Sequence, residues 1–273
     1  MPQRLVPLPV LLVTLALATA LTGACAQPAV AGRPAAAAPA GPVTVITLGD
    51  SLTSGDGDDD GQGYAGRMVE MIAALPGREG STLVNLGQSG WDSTMLVNGQ
   101  EGSPGELAQA LEAVRAAPGP VLATILIGSN DLWLTYQNGT VDPTPRAEED
   151  AAVAAYRANL DRTIGELRAA GAAVVVGLPD DQSRRVGVAD IATVNAFLPN
   201  VTVEEVGRMA ALAKVIVRTA GEVAAARSVP TVDTDDPFWT NASTMAADRL
   251  HPNGAGYAVL AQRFMKVVTP IVR

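Results

Sequence analysis

The sequence predicts a single α/β domain with three layers, in which helices cover both faces of a mostly parallel sheet. The first observation is that short apolar runs alternate with longer segments of helical periodicity from Pro42 onward. The second is that these runs are continuously apolar, as expected of strands covered on both faces. The third is size: 273 residues, 48% of them hydrophobic, suffice for one core and a processed leader.

Five apolar runs are the predicted strands. They lie at residues 43–48, 82–86, 121–127, 173–178 and 230–233. Because functional residues gather at the carboxyl ends of the strands in such sheets, we expect the segments that follow these runs to form the site.

Helical periodicity marks the segments between the strands. One apolar stripe repeats at steps of three and four residues, and its members are Val153, Tyr156, Leu160, Ile164 and Leu167. A similar helical periodicity occurs at residues 106–117 and 204–227. A last helix is predicted from just after Pro252 to about Val268. Residues 180–203 form a long connection, which is typical of a lid or binding loop, and the sequence leaves open whether it packs rigidly or moves.

The first 42 residues are typical of an exported protein. Arg4 precedes an apolar run at 10–21 that is too short to span a membrane and fits a cleaved signal. Cys25 follows two small residues, as in a bacterial lipoprotein signal, and an ordinary secretory signal is the alternative. We expect a protein that is secreted or anchored to the outer face of the cell membrane by a lipidated N-terminus. The predicted divisions are a signal at 1–25, a flexible Ala/Pro-rich linker at 26–42 and one domain at 43–273.

Charge and residue counts exclude several other classes. The formal net charge is −9 and no Lys/Arg cluster stands out, which argues against nucleic-acid binding. One histidine and one cysteine leave zinc catalysis without its usual ligands, and a lone cysteine excludes an intramolecular disulfide. No Walker or dinucleotide-binding glycine motif follows a strand. We expect a monomer that uses no metal and no cofactor.

A serine follows the first predicted strand in Gly49-Asp50-Ser51-Leu52-Thr53-Ser54-Gly55. The glycines allow a sharp turn that exposes the Ser51 hydroxyl at the strand end. Taken alone, Gly-Asp-Ser is also typical of an ordinary turn.

The only histidine lies near the C-terminus in Asp248-Arg249-Leu250-His251-Pro252-Asn253. Asp248 and His251 are three residues apart and can meet on one turn, where the carboxylate orients the ring and stabilises its protonated form. A neutral imidazole is the usual base for a serine nucleophile. The alternative is a surface histidine beside a helix N-terminus, with Asp248 as the cap.

Two more polar segments follow strands. They are Asn85-Leu86-Gly87-Gln88-Ser89-Gly90 and Gly128-Ser129-Asn130-Asp131. An acyl-transfer site needs donors for the oxyanion of the tetrahedral intermediate, and a glycine N–H and an asparagine amide both suit. Each segment alone is more often an ordinary turn. Taken together, however, all four segments lie at the positions in the fold that one catalytic cleft would require.

Together, these four segments resemble the conserved blocks of the SGNH hydrolases, also called GDSL-type esterases and lipases, over about residues 43–270. The resemblance implies a flavodoxin-like, parallel five-stranded sheet. It also implies Ser51 as nucleophile, His251 as base and Asp248 as its partner. The oxyanion hole would consist of the Ser51 and Gly90 amides and the Asn130 side chain, with Gly90 fitting the pattern better than Gly87.

Other patterns are absent or open to more than one interpretation. The α/β-hydrolase elbow Gly-x-Ser-x-Gly does not occur. Residues 56–61 open like an EF-hand loop, but the twelfth position is Arg67 instead of a bidentate Glu, so a solvated acidic loop is favoured. Aromatic residues close to the predicted catalytic segments either line a substrate pocket or pack in the core, and they include Trp91, Trp133 and Trp239.

The sequence therefore predicts an enzyme that hydrolyses small-molecule carboxylic esters, with short acyl groups favoured, through an acyl-serine intermediate. The nearest alternatives are a thioesterase or lysophospholipase and a carbohydrate O-acetyl esterase. An alternative of another class is a catalytically silent surface protein that binds glycans or lipids on the same scaffold.

Overall fold

The computed structural model describes residues 41–137, 144–188, 191–197 and 201–273. The predicted signal, Cys25 and residues 26–40 of the predicted linker lie outside the described residues. The five predicted strands are present, each within about two residues of its expected limits. They are β1 (Thr44–Gly49), β2 (Thr82–Asn85), β3 (Val121–Leu126), β4 (Ala173–Leu178) and β5 (Thr231–Asp233).

The sheet is parallel throughout and has the strand order β2-β1-β3-β4-β5. This is the flavodoxin-like order, so the predicted fold class is confirmed. The order reverses at β1, between β2 and β3, and Gly49 at the end of β1 is in register with Leu126 at the end of β3. The segments that follow β1, β2 and β3 therefore emerge side by side at one edge of the sheet.

Helices connect the strands and cover both faces of the sheet. In chain order they are α1 (Ser51–Ser54), α2 (Gly63–Ala73), α3 (Ser93–Asn98), α4 (Glu106–Ala116), α5 (Ser129–Gln137), α6 (Arg146–Ala169), α7 (Ile191–Phe197), α8 (Val203–Ala226) and α9 (Gly254–Val272). Among the described residues, no helix combines the length and apolar character needed to cross a membrane.

Two hydrophobic clusters fill the two faces. Val45 belongs to the cluster that contains α2 and α9 side chains, whereas its neighbour Ile46 belongs to the cluster under α4, α6 and α8. Alternate residues of a strand point to opposite faces, which is why a strand buried on both faces is apolar at most of its positions. Tyr64 of α2 stacks on Phe264 of α9 with ring centroids 4.6 Å apart and joins these two helices.

The last helix is longer than predicted. It continues past Val268 and includes Pro270, ending at Val272. A proline removes one backbone donor from the helix. Val268 and Val272 are both buried in the core, and this burial holds the last turn in place despite the missing donor.

The long connection at 180–203 is described at residues 180–188, 191–197 and 201–203. It contains a 3₁₀ turn at Gln182–Arg184 and the short helix α7. Val188 and Val194 are buried in the larger of the two clusters. The described part of this segment therefore packs against the domain.

Candidate active site

Ser51 lies where β1 turns into α1. Gly49 has a φ of 150°, and a Cβ at this position would lie 2.0 Å from the carbonyl oxygen of Leu126, so the turn requires glycine. Asp50 caps the short helix by accepting a hydrogen bond from the N–H of Leu52 at 3.0 Å. This strand–turn–helix arrangement leaves Ser51 half-buried at the sheet edge.

His251 connects Ser51 to Asp248. Its Nε2 lies 2.9 Å from Ser51 Oγ, and its Nδ1 lies 2.6 Å from Asp248 Oδ2. Since Nδ1 faces a carboxylate, it carries the ring proton, and Nε2 is left to accept the hydroxyl proton of Ser51. Three side chains predicted from distant parts of the sequence therefore form one hydrogen-bonded relay.

The turn that holds Asp248 and His251 is tightly closed. Asp248 Oδ1 accepts hydrogen bonds from the N–H groups of Leu250 and His251 at 2.9 and 3.0 Å. Arg249, between them, has a φ of 61°, which is a strained conformation for a residue with a side chain. The turn thus fixes the carboxylate against the ring.

The Asp248 carboxylate stays ionised in this arrangement. Partial burial acts to raise its pKa, but the bonds from the His251 ring and from the His251 and Leu250 backbones outweigh burial and lower the pKa. An ionised Asp248 stabilises the positive charge that the His251 ring carries after it has accepted the Ser51 proton.

Three residues that line the same cavity carry N–H donors, and they are Ser51, Gly90 and Asn130. The backbone N–H groups of Ser51 and Gly90 have no hydrogen-bond acceptor within the described part of the chain. Gly90 has a φ of 80° with open space around its Cα. Asn130, in the first turn of α5, donates from Nδ2 to the carbonyl oxygen of Trp91 at 2.9 Å, which fixes the amide and uses one of its two N–H groups.

These groups line one open cavity of about 290 Å³. Ser51, Gly90, Asn130 and His251 are all among its walls, as is Trp133. The four segments singled out in the sequence thus meet at one cleft at the carboxyl ends of β1, β2 and β3.

A family model for the GDSL-like lipase/acylhydrolase family matches residues 47–259, which is most of the chain. The chain belongs to this family. As a GDSL-like acylhydrolase it is a carboxylic ester hydrolase. None of the curated protein sequences matches it.

Solved structures share the fold of this acylhydrolase. An acetylxylan esterase from Geobacillus stearothermophilus is 21% identical with a TM-score of 0.57, over 84% of this chain and 94% of that chain. An α/β hydrolase enzyme from the metagenome of Lake Arreo, Spain, is 21% identical with a TM-score of 0.58, over 86% of this chain and 97% of that chain. At this identity the likeness shows the fold alone.

Two of the three tryptophans do not line the cavity, which corrects the sequence-based prediction. Trp239 is 1% exposed, and its Nε1 donates to the carbonyl oxygen of Thr234. Trp91 is 7% exposed and contributes only its backbone carbonyl, through the bond from Asn130. Both rings pack in the interior because their apolar area is too large to leave at an open edge. Trp133 lines the cavity as predicted, and its indole N–H donates to Gln182.

Arg185 lines the cavity, and no sequence motif predicted it there. Its guanidinium makes two bonds to Asp180, at 2.8 and 2.6 Å, and donates to the carbonyl oxygen of Leu250, next to His251. It also lies over the Trp239 ring, 4.6 Å from the centroid. Nothing in the local sequence marks a buried arginine, because the Leu250 carbonyl and the Trp239 ring that cover it come from distant segments.

Asp56 and Ser89 form a polar pair at the same cavity. The Ser89 hydroxyl lies 2.7 Å from both carboxylate oxygens of Asp56. The sequence placed each of them in a segment of interest but did not pair them, since they follow different strands.

The acidic loop at residues 56–61 supports the histidine. The Asp58 side chain is buried, accepts from the Gly63 N–H at 2.8 Å and pairs with Arg67. The residue that departs from the EF-hand pattern thus neutralises the loop's inner carboxylate. Gly57 packs against the turn of His251, and a Cβ on Gly57 would lie 2.9 Å from His251 Cβ and 2.8 Å from the Pro252 carbonyl oxygen.

Replacing Gly57 by alanine is expected to lower kcat on the order of 10²-fold, because a displacement of about 1 Å in a catalytic group costs that much. Gly61→Ala is the matched control: Gly61 has a positive φ of 67° in the same loop, but nothing lies within 4 Å of its Cβ direction. Ester hydrolysis by the two purified variants is the measurement. Equal activity of the two would show that the loop does not hold His251.

Proposed function

We propose that the chain is an extracytoplasmic serine esterase that hydrolyses short-chain carboxylic esters through an acyl-serine intermediate. The single observation that carries this proposal is the relay from Ser51 Oγ to His251 Nε2 and from His251 Nδ1 to Asp248, at 2.9 and 2.6 Å, at the wall of an open cavity.

In the first half-reaction Ser51 Oγ attacks the carbonyl carbon of the ester, and its proton passes to His251 Nε2. The carbonyl oxygen becomes an oxyanion, which accepts hydrogen bonds from the N–H groups of Ser51 and Gly90 and from the free N–H of Asn130. The intermediate collapses when the C–O bond to the alcohol breaks. His251 donates its proton to the leaving alkoxide, and the acyl group stays on Ser51.

The second half-reaction repeats these roles with water. Neutral His251 accepts a proton from a water molecule as that oxygen attacks the acyl carbon. The same three donors stabilise the second oxyanion. Its collapse returns the proton to Ser51 Oγ and releases the carboxylic acid, so the enzyme ends in its starting state.

A serine-directed fluorophosphonate probe tests this function without knowledge of the substrate. We expect covalent labelling of Ser51, located by peptide mass spectrometry, and of no other serine. A catalytically silent glycan- or lipid-binding protein would show no labelling, and this outcome would overturn the proposal.

Short acyl groups are expected to be the better substrates. The cavity holds only about 290 Å³, and of the described residues that line it only Trp133 and Leu250 have large apolar side chains. A buried methylene contributes about 0.8 kcal/mol only where it leaves water for apolar surface. Across p-nitrophenyl esters from acetate to palmitate, kcat/KM should be highest from acetate to butyrate. A steady rise from butyrate to palmitate would show instead that the 180–203 segment covers a long chain.

Hydrolysis of O-acetylated carbohydrate is the second candidate function, and the polar rim favours it. Asp56, Ser89 and Gln137 line the cavity beside Ser51 and Gly90. A carboxylate, a hydroxyl and an amide are suitable partners for sugar hydroxyl groups. Release of acetate from acetylated xylan, compared with a p-nitrophenyl acetate reference and a lysophospholipid, decides between this candidate and the thioesterase or lysophospholipase alternative.

Activity is expected to fall at acid pH and to resist chelation. A protonated His251 cannot accept the Ser51 proton, while Asp248, whose pKa is lowered, stays ionised beside it. The relay uses no metal, so EDTA should leave the rate unchanged. The pH–rate profile and an EDTA titration are the measurements, and inhibition by EDTA that calcium reverses would contradict the second half of this prediction.

The extracytoplasmic location rests on the N-terminal residues. An apolar run at 10–21 precedes two small residues and Cys25, which supports either a secretory signal or lipid attachment at Cys25. Fractionation of the wild type and Cys25→Ser separates the two: a lipoprotein follows the membrane fraction and the variant does not. Retention of both inside the cell would reject an exported protein.

A further inference from the structure

Two buried carboxyl groups hold the backbone on either side of Ser51. Glu106, the first residue of α4, is 0% exposed, and its Oε2 accepts a hydrogen bond from the Gly49 N–H at 2.7 Å. Asp50 is 1% exposed, and its Oδ1 accepts from the Leu52 N–H at 3.0 Å. The predicted nucleophile therefore lies between two N–H groups that are fixed by acids.

These hydrogen bonds use only one oxygen of each carboxyl group. Among the described residues, Asp50 Oδ2 and Glu106 Oε1 have no hydrogen-bond partner of normal geometry, although both are buried. The Ser129 hydroxyl is close enough to lower the pKa of Asp50 without completing such a bond. The negative charge of Asp50 acts on Glu106. Two interacting carboxyl groups that are buried away from water do not both ionise at neutral pH, so one of them keeps its proton.

The proton belongs to Glu106. Burial raises the pKa of Glu106 to about 9, and the negative charge of Asp50 adds to that effect. Burial also raises the pKa of Asp50, but only to about 6, because the Leu52 N–H and the positive charge of Arg185 oppose it. At neutral pH the pair thus carries one proton, and since Glu106 Oε2 is an acceptor, that proton is on Oε1.

The other ionisable groups around the pair do not change this assignment. Buried tyrosines have raised pKa values and stay neutral, while Arg185 and His251 act on Asp50 and not on Glu106. Asp131 is buried, and burial raises its pKa to about 7, with Asp50 adding to the effect. The groups that interact with the pair are Tyr64, Asp131, Tyr156, Arg185, His251 and Tyr257.

We propose that neutral Glu106 is a positioning residue for the nucleophile: its O–H on Oε1 donates to Asp50 Oδ2, and the joined pair fixes residues 49–52 around Ser51. This inference rests on the proposed nucleophilic role of Ser51. The bond between the two acids gives Glu106 Oε1 and Asp50 Oδ2 a hydrogen-bond partner. It also explains why an acidic side chain is buried at the start of α4. Ionisation of Glu106 replaces this bond with repulsion between two carboxylates and releases the turn.

Glutamine is the variant that distinguishes positioning from simple burial. In Glu106→Gln the carbonyl accepts from Gly49 and the NH₂ group donates to Asp50, as in the neutral acid, but nothing ionises. We expect the kcat of the wild type to fall as pH rises through about 9. Glu106→Gln should keep the wild-type kcat at neutral pH and should lack this fall. Glu106→Ala should lower kcat on the order of 10²-fold with little change in KM.

Thermal unfolding gives a readout that does not need substrate. The pKa of Glu106 is raised from its ordinary 4.5 to about 9 on folding, so its contribution to stability is full below 4.5 and is lost as pH rises towards about 9. The Tm of the wild type should therefore fall relative to that of Glu106→Gln across this range. Glu112→Gln, the same exchange at an exposed site on the same helix, should follow the wild type.

The outcomes separate this inference from the proposed function. A wild type that neither hydrolyses esters nor takes up a fluorophosphonate would reject the proposed function, while the pH dependence of Tm would still test the acid pair. An active wild type whose alkaline fall in kcat persists in Glu106→Gln would overturn the positioning role. If Glu106→Ala does not fold, the pH dependence of kcat in Glu106→Gln, compared with that in the wild type, still tests the positioning role.

Discussion

Replacing Ser51 by alanine is expected to abolish ester hydrolysis, with kcat falling on the order of 10⁶-fold, the scale found when a triad serine is removed. The physical reason is that the alanine side chain has no hydroxyl to form the acyl-enzyme, and direct attack by water lacks a nucleophile held 2.9 Å from the base. Hydrolysis of p-nitrophenyl acetate by the purified variant is the measurement.

The fold should survive this change, because Ser51 is half-buried and belongs to neither hydrophobic cluster. Circular dichroism and Tm should match those of the wild type. Ser54→Ala, at the other end of the same short helix, is the matched control and should keep its activity. A Ser51→Ala protein with more than a few per cent of the wild-type rate would reject the acyl-serine mechanism.

Asn130→Ala is expected to lower kcat about 10²–10³-fold, which is the usual cost of losing one oxyanion donor. The donor acts mainly in the transition state, so KM should change much less than kcat. The bond from Asn130 to the Trp91 carbonyl at 2.9 Å holds the amide in place before substrate arrives, and the donor is thereby preorganised. Steady-state kinetics on one short-chain ester separates kcat from KM.

Two further variants sharpen this test. Asn130→Asp keeps the size of the side chain but replaces the donor with a negative charge, so it should be at least as slow as Asn130→Ala. Asn98→Ala changes an exposed asparagine at the end of α3 and should leave kcat unchanged. A rise in KM at constant kcat for Asn130→Ala would make Asn130 a substrate-binding residue instead of an oxyanion donor.

The fold could be predicted because each strand and each long helix has a pattern of apolar residues that is visible within its own segment of the sequence. Strands covered on both faces, such as 173–178, are apolar at nearly every position, and a stripe such as Tyr156 to Leu167 must repeat with the helical period. The short helix α7 gave no comparable signal. Seven residues span about two turns and show too little periodicity to be recognised.

The parts of the site that were predicted lie directly after strands, in segments with distinctive residue types. The sequence brought Ser51, Asp248 and His251 to attention because their order and local spacing are unusual. It could not reveal Arg185 or Glu106, which look like ordinary charged residues of a connection and of a helix. Their burial depends on Asp180, Leu250 and Gly49, and such contacts exist only once the chain has folded.

The distance along the chain between Ser51 and His251 affects when the enzyme becomes active. Their hydrogen bond joins residues 200 positions apart, and His251 lies just before α9, which packs on α2. A ribosome-bound chain that lacks its C-terminal residues can already contain β1 and the serine turn, but it has no base. Synthesis from the N-terminus therefore keeps the serine without its base until residue 251 has been added, and a truncation that removes 248–273 should leave no hydrolase activity.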